Sequence, residues 1–210
     1  MSLPSKHFYI IRHGETEANA AKCMSGQVDT PLTHLGISQA QKTAAIMGGL
    51  DPKPNIILHS HLSRARDTAA YLNEALGLQM IEDAAWAEQH FGDWQGTPYH
   101  ETQNLVRAGN PPPNGETREI FYERVLNAAL LALDKYELPL IVCHGGVIRG
   151  IAAALGRKIQ GVHNCVLYEF KPAESSSRAN FAWNVYEYDA ENGMKNLSSL
   201  FHDERMEQYG

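Results

Sequence analysis

Three short segments of the chain combine histidine or arginine with glycine in a way that suits anion chemistry. They are Arg12-His13-Gly14-Glu15-Thr16, then His59-Ser60-His61 followed by Arg64, then Cys143-His144-Gly145-Gly146. A guanidinium presents a planar fork of N–H donors that matches a phosphate, and it stays charged at working pH. An imidazole can act as nucleophile, proton carrier or cation near neutral pH. Glycine lets the backbone turn sharply and lets a ligand come close. A single histidine of this kind is commonly structural. Two arginines and two histidines gathered in one place describe a receptor for a dianion, and phosphate is the obvious one.

The elements that end in these residues must gather them. His7 to Arg12, Asn55 to His59 and Leu138 to Cys143 read as buried strands. Leu35 to Gly48 reads as a helix capped by Thr33, with Ile37, Ala40, Ala44 and Met47 on one face. Ser63 to Leu76 reads as a helix with an apolar stripe of Leu62, Ala65, Ala69, Leu72 and Leu76, stopped by Gly77. Two further helices are expected, Glu116 to Asp134 opened by Asn114-Gly115, and Val147 to Leu155 stopped by Gly156. Gln79 to Ile81 is a short strand candidate. Cys165 to Lys171 and Phe181 to Tyr188 read as late strands joined by a Ser-rich loop, and the tail from Ala190 shows little pattern.

This alternation predicts an α/β fold: a three-layer sandwich with a mostly parallel central sheet and helices on both faces. In such sheets ligands bind beyond the carboxyl ends of the strands. Helix N-termini there add free N–H groups. The three motifs all fall at that edge. Residues 82–115 are rich in glycine, proline and aromatics, with a short helix expected after Pro98. A loop of that length is usually functional, so residues 1–210 read as one domain with a cap insertion over the site.

Composition narrows the partners. The 210 residues carry 18 Lys and Arg against 24 Asp and Glu, a formal net charge of −6. That excludes nucleic acid as the default partner, because backbone binding needs clustered basic residues. No apolar run approaches the roughly 20 residues of a membrane span, so no membrane partner is expected. Met1 to Lys6 lacks the apolar core of a signal peptide. Cys23, Cys143 and Cys165 are odd in number and form no Cys-x-x-Cys pair. Both features suit a cytoplasmic location. The late strands offer a pairing edge for a homodimer.

Arg12-His13-Gly14-Glu15-Thr16 followed by Asn19 resembles the opening motif of the histidine phosphatase superfamily, also called phosphoglycerate mutase-like. The resemblance continues in order through Ser25-Gly26, Asp29, Leu32-Thr33, Gly36 and Gln39-Ala40. It then takes in Ser60, Leu62, Arg64-Ala65 and Thr68-Ala69, and next Glu88, Phe91-Gly92, Trp94 and Gly96. Gly115-Glu116-Thr117 and the segment from Cys143 to Arg149 complete it, so that it covers roughly residues 7 to 156.

The resemblance implies a phosphatase that hydrolyses a phosphomonoester, a small phosphorylated metabolite, with no cofactor and no metal. His13 would attack the phosphoryl group and become a phosphohistidine, which water then hydrolyses. Arg12, Arg64 and His144 would surround the phosphoryl oxygens, with His144 acting best as imidazolium. Asn19 would add a neutral donor, and Ser25, Gly26 and Gly145 would line the phosphate pocket. Glu88 would be general acid to the leaving oxygen, then base for water. Glu116, at a helix start, reads as structural. His61 and His90 are candidates for the pocket lining. Trp86, Phe91, Trp94 and Tyr99 either shape the leaving-group pocket or belong to the core.

Four other readings compete. Cys143 to Arg149 has the Cys-x5-Arg spacing of a protein-tyrosine phosphatase loop, although the histidine usual before that cysteine is replaced by Val142. His59-Ser60-His61 suggests a metal site, but no metal-ligand spacing joins it to His90 or His100. A cofactor-dependent phosphoglycerate mutase shares the resemblance, yet Gln89, Phe91 and Gly146 depart from its pattern and the cations for a second anion are few. A catalytically silent binding module would not need His13, Arg12, Arg64, Glu88 and His144 together.

Overall fold

Strand β1, Phe8–Arg12, shows how the fold is held. Its residues alternate between two cores, as the two-residue period of a strand requires. Phe8 and Ile10 pack into one core with Phe121, Val125 and Ile148. Tyr9 and Ile11 pack into the other with Ala40, Ala65 and Ala69. Strand β4, Pro139–Cys143, alternates in the same way, with Ile141 and Cys143 on the first side and Leu140 and Val142 on the second. A sheet buried on both faces explains why these strands read as continuous apolar runs.

The computed structural model describes residues 3–157, 159, 161–173 and 183–196. The other strands are β2 (Ile56–His59), β3 (Met80–Glu82), β5 (Leu167–Pro172), β6 (Trp183–Asp189) and β7 (Gly193–Asn196). They form one seven-stranded sheet in the order β3-β2-β4-β1-β5-β6-β7. The pairs β3–β2, β2–β4 and β4–β1 are parallel, while β1–β5, β5–β6 and β6–β7 are antiparallel. Five of the seven strands therefore run the same way. The helices are α1 (Glu17–Ala20), α2 (His34–Met47), α3 (Ser63–Leu76), α4 (Tyr99–Arg107), α5 (Arg118–Lys135) and α6 (Gly145–Ala154). Helices α2 and α3 cover one face and α5 and α6 the other, giving the three layers expected.

Several boundaries differ from the sequence reading. Helix α5 begins at Arg118, two residues late, because Thr117 is its N-cap and accepts from the Ile120 N–H at 3.3 Å. Asn114 and Gly115 instead make a turn, with Asn114 at φ +57°. Helix α6 begins earlier, at Gly145, with His144 as N-cap. Strand β7 and the four-residue α1 were not expected. Phe181 and the Ser-rich loop lie outside the described residues. No described helix is long and apolar enough to cross a membrane.

Candidate active site

Strand β1 delivers Arg12 and His13, β2 leads to Ser60 and Arg64, and β4 leads to His144, all at one edge of the parallel half-sheet. Close backbone approach holds this edge together. A methyl group on Gly14 would sit 2.4 Å from the Gly36 carbonyl oxygen, and one on Gly36 would sit 2.1 Å from that of Glu15. The N-terminus of α2 is thus pressed against the first motif, which only glycine at both positions allows. The Gly14 N–H donates to Thr68 Oγ1 at 3.1 Å, and that hydroxyl donates to the Arg64 carbonyl at 2.7 Å. The first two motifs are therefore tied by a two-bond bridge.

His13 is 4% exposed. Its Nδ1 lies 2.7 Å from the Gly14 carbonyl oxygen, which can only accept, so Nδ1 carries a proton. Burial, then the charges of Arg64 and Arg12, hold its pKa well below the ordinary histidine value, against a smaller opposing effect of the Gly14 bond. The ring is neutral and its Nε2 keeps a lone pair. His144 is fully buried, and its ring centroid lies 5.1 Å from that of His13. Arg64 Nε donates to its Nδ1 at 3.3 Å, which leaves Nε2–H to donate to Ser60 Oγ at 2.9 Å. Burial and Arg64 hold His144 well below the ordinary value too. A guanidinium beside it disfavours a second charge, so this arrangement favours a neutral ring over the imidazolium expected from sequence.

The arginines are the fixed cations. Arg64 is completely buried, donating to the Gly26 carbonyl at 2.6 Å and the Val28 carbonyl at 3.0 Å. Its nearest carboxylate, Asp29, is 4.0 Å away and half exposed. Arg12 donates through one terminal nitrogen to the Val162 carbonyl at 2.8 Å, while its Nε is buried with no hydrogen-bond partner. An orphaned buried N–H on a cation is costly unless something anionic meets it.

A cavity of about 510 Å³ opens at this edge, lined by Arg12, Asn19, Glu88, Gly145, Arg149 and Asn164 among others. Glu15, Met24, Phe91, Tyr99, Val106 and Gly146 complete the lining. His13, Arg64 and His144 are not among the lining residues; His13 adjoins Arg12 in the chain and His144 adjoins Gly145, both of which line the cavity. Asn19 Oδ1 accepts from the Thr16 N–H at 3.3 Å and from Asn164 Nδ2 at 3.3 Å, so its Nδ2 is what it can offer a ligand. Gly26 contributes its carbonyl to Arg64, and Ser25, His61 and His90 do not line the cavity. Of the four aromatics, Phe91 and Tyr99 line the cavity and Trp86 is buried in the core.

Glu88 reaches the site from the loop between β3 and α4. Its Oε2 accepts from the Gly146 N–H at 2.9 Å and its Oε1 from the Gln89 N–H at 3.0 Å. Behind it, Arg124 donates to the carbonyls of Ala85, Ala87 and Glu88 and makes a two-pronged pair with Glu116 at 2.9 and 2.8 Å. Glu116 also accepts from the His90 N–H at 2.8 Å. Burial alone would raise the Glu116 pKa, but Arg124 and that N–H outweigh it and lower it. Glu116 is thus a tether that fixes the loop carrying Glu88.

Among the cavity residues that the sequence did not place in the site, Asn164 and Arg149 carry polar groups that a ligand could meet. Asn164 donates to the His13 carbonyl at 2.8 Å. It precedes β5, which runs antiparallel to β1, so its N-terminal end meets the carboxyl end of β1 and the Cys165 N–H donates to the Arg12 carbonyl. Only that strand direction could have signalled it. Arg149 was named only as the end of the last resembling segment and of Cys-x5-Arg, with no role given to it. The Cys143 thiol of that motif is buried in the core, and burial raises its pKa well above the ordinary range, which disfavours the thiolate a nucleophile needs. His59 is buried with Nδ1 on the Ser60 carbonyl, while His61 is exposed.

The sequence profile of the histidine phosphatase superfamily (branch 1) matches residues 8–184. Glucosyl-3-phosphoglycerate phosphatase of Mycobacterium tuberculosis is 34% identical over 174 residues, 72% of this chain and 75% of that one. The phosphatase PhoE of Bacillus subtilis is 33% identical over 144 residues, 68% of this chain and 73% of that one. Among solved structures, a mycobacterial glucosyl-3-phosphoglycerate phosphatase in complex with VO3 superposes with a TM-score of 0.71 at 29% identity, covering 86% of this chain and 97% of that one. Motif order, fold and profile agree, and the chain belongs to the histidine phosphatase superfamily, branch 1.

Proposed function

We propose that the protein is a phosphatase that hydrolyses a small phosphomonoester through a phosphohistidine on His13. The observation that carries this reading is the buried His13 ring, with Nδ1 tied to a carbonyl and Nε2 free, set beside the buried Arg64 and the half-buried Arg12, whose Nε is orphaned.

In the first step the Nε2 lone pair attacks phosphorus, and the bond from phosphorus to the leaving oxygen breaks. The leaving oxygen takes a proton from the Glu88 carboxyl group. Arg12 and Arg64 hold the charge on the non-bridging oxygens throughout, being already in place before the reaction. A dianion arriving beside His144 would favour its proton uptake, making it a third cation when it is needed. In the second step water attacks phosphorus, Glu88 takes its proton, and the P–N bond breaks to return neutral His13 and release phosphate. The VO3 complex of a mycobacterial relative supports a site that accepts a phosphate-like oxyanion.

The test is turnover of 3-phosphoglycerate and p-nitrophenyl phosphate by chelator-treated protein. Release of inorganic phosphate from both is expected. Conversion of 3-phosphoglycerate to 2-phosphoglycerate without phosphate release would make the protein a mutase. Loss of turnover on chelation, restored by a divalent metal, would refute the metal-free scheme.

A further inference from the structure

Arg149 has no part in the scheme above, yet it lines the same cavity. It stands four residues after Gly145 on α6, and so on the same side of the helix. A methyl group on Gly145 would lie 3.2 Å from the Arg149 guanidinium and 3.6 Å from Arg12 Nε. Glycine at 145 therefore leaves one open space flanked by two arginines. Arg149 is exposed and, among the described residues, has neither a hydrogen bond nor an ion pair, although Glu15 and Glu88 line the same cavity. A surface arginine kept for solubility needs no such position. Two like charges sharing a cavity repel, and Arg12 and Arg149 both line this one. That repulsion is relieved by a ligand with two negative centres, and Arg12 already faces the transferred phosphoryl group. Met24, Phe91 and Val106 add apolar lining to the same cavity, which suits a carbon skeleton.

We infer that Arg149 binds the leaving group, and that the preferred substrates are phosphomonoesters whose leaving group carries a second anion, a carboxylate or another phosphate. This rests on the phosphatase reading, in which the phosphoryl group lies at Arg12 and His13.

Two substrate pairs test it and separate the two anions. The first is 3-phosphoglycerate against glycerol 3-phosphate, which differ in a carboxylate. The second is fructose 1,6-bisphosphate against fructose 6-phosphate, which differ in a phosphate. The native protein should favour the doubly anionic member of at least one pair by about ten-fold or more in kcat/KM, the size of one charge-assisted contact. Arg149→Gln should cut that ratio to about two-fold, acting through KM, while Arg149→Lys, which keeps the charge, should retain most of it. No preference in either pair, or a preference that survives Arg149→Gln, would overturn the inference. If p-nitrophenyl phosphate is not hydrolysed at all, the phosphatase reading fails instead. The same ratios, read as Kd by calorimetry, then still decide the role of Arg149.

Discussion

Replacing Gly146 by alanine puts a methyl group against the Glu88 carboxylate. The new carbon would lie 2.1 Å from Oε1, 3.0 Å from Cδ and 3.1 Å from the Phe121 ring. Contact between such atoms is comfortable only beyond about 3 Å, so the carboxylate must retreat by about 1 Å. It would leave the Gly146 N–H that now holds Oε2 at 2.9 Å. A displacement of about 1 Å at a reacting group can cost about 100-fold, or about 2.7 kcal/mol of transition-state stabilisation. Folding should hardly notice. The lost hydrogen bond costs about 1 kcal/mol, and alanine for glycine inside helix α6 returns a similar amount. The assay is kcat on two substrates. An alkyl phosphate has a poor leaving group that needs the Glu88 proton, and its kcat should fall about 100-fold. p-Nitrophenyl phosphate expels a stable phenolate, and its kcat should fall by much less. Equal losses on both substrates, or no loss on the alkyl phosphate, would refute the assignment of Glu88 as the acid.

Three further outcomes are expected. His13 and His144 both have lowered pKa values in the folded protein, so unfolding takes up protons below the ordinary histidine value of about 6.5. Stability is intact above that pH and should fall as pH drops from it toward the folded-state values, by up to about 1.4 kcal/mol per pH unit for each ring. Urea midpoints between pH 7.5 and 5 measure this, and His144→Gln should reduce the slope by about half. Cys143→Ser should leave turnover within about two-fold while lowering stability by about 1–3 kcal/mol, since it buries a hydroxyl in an apolar core. Gly36→Ala should destabilise by about 1–3 kcal/mol or more, read from thermal unfolding, because the clash is with the Glu15 backbone and has no flexible end to yield.

The parts of the fold legible in the sequence are those where one local rule dominates. Helix α3 runs from Ser63 to Leu76 as read, because its apolar stripe is regular and Gly77 closes it at φ +62°. The sandwich followed from apolar runs alternating with helical patterns. What was not legible depends on long-range geometry. Sequence periodicity does not say that β5 runs antiparallel, and so it could not place Asn164 beside His13. The glycines after His13 and His144 were read as aids to turning and ligand approach, yet Gly14 meets α2, Gly145 leaves room for two arginines and Gly146 leaves room for Glu88. The contact between His144 and Arg64 Nε could not be read either, because the two lie 80 residues apart in sequence.

The identity of the nucleophile is the central claim, and trapping the phosphoenzyme tests it most directly. Protein mixed with a ³²P-labelled phosphomonoester and quenched within the first turnover should hold label that is acid-labile and base-stable. Peptide mapping should place it on His13, and His13→Ala should hold none. Base-labile label, or label on any other residue with His13→Ala still turning over, would contradict the account.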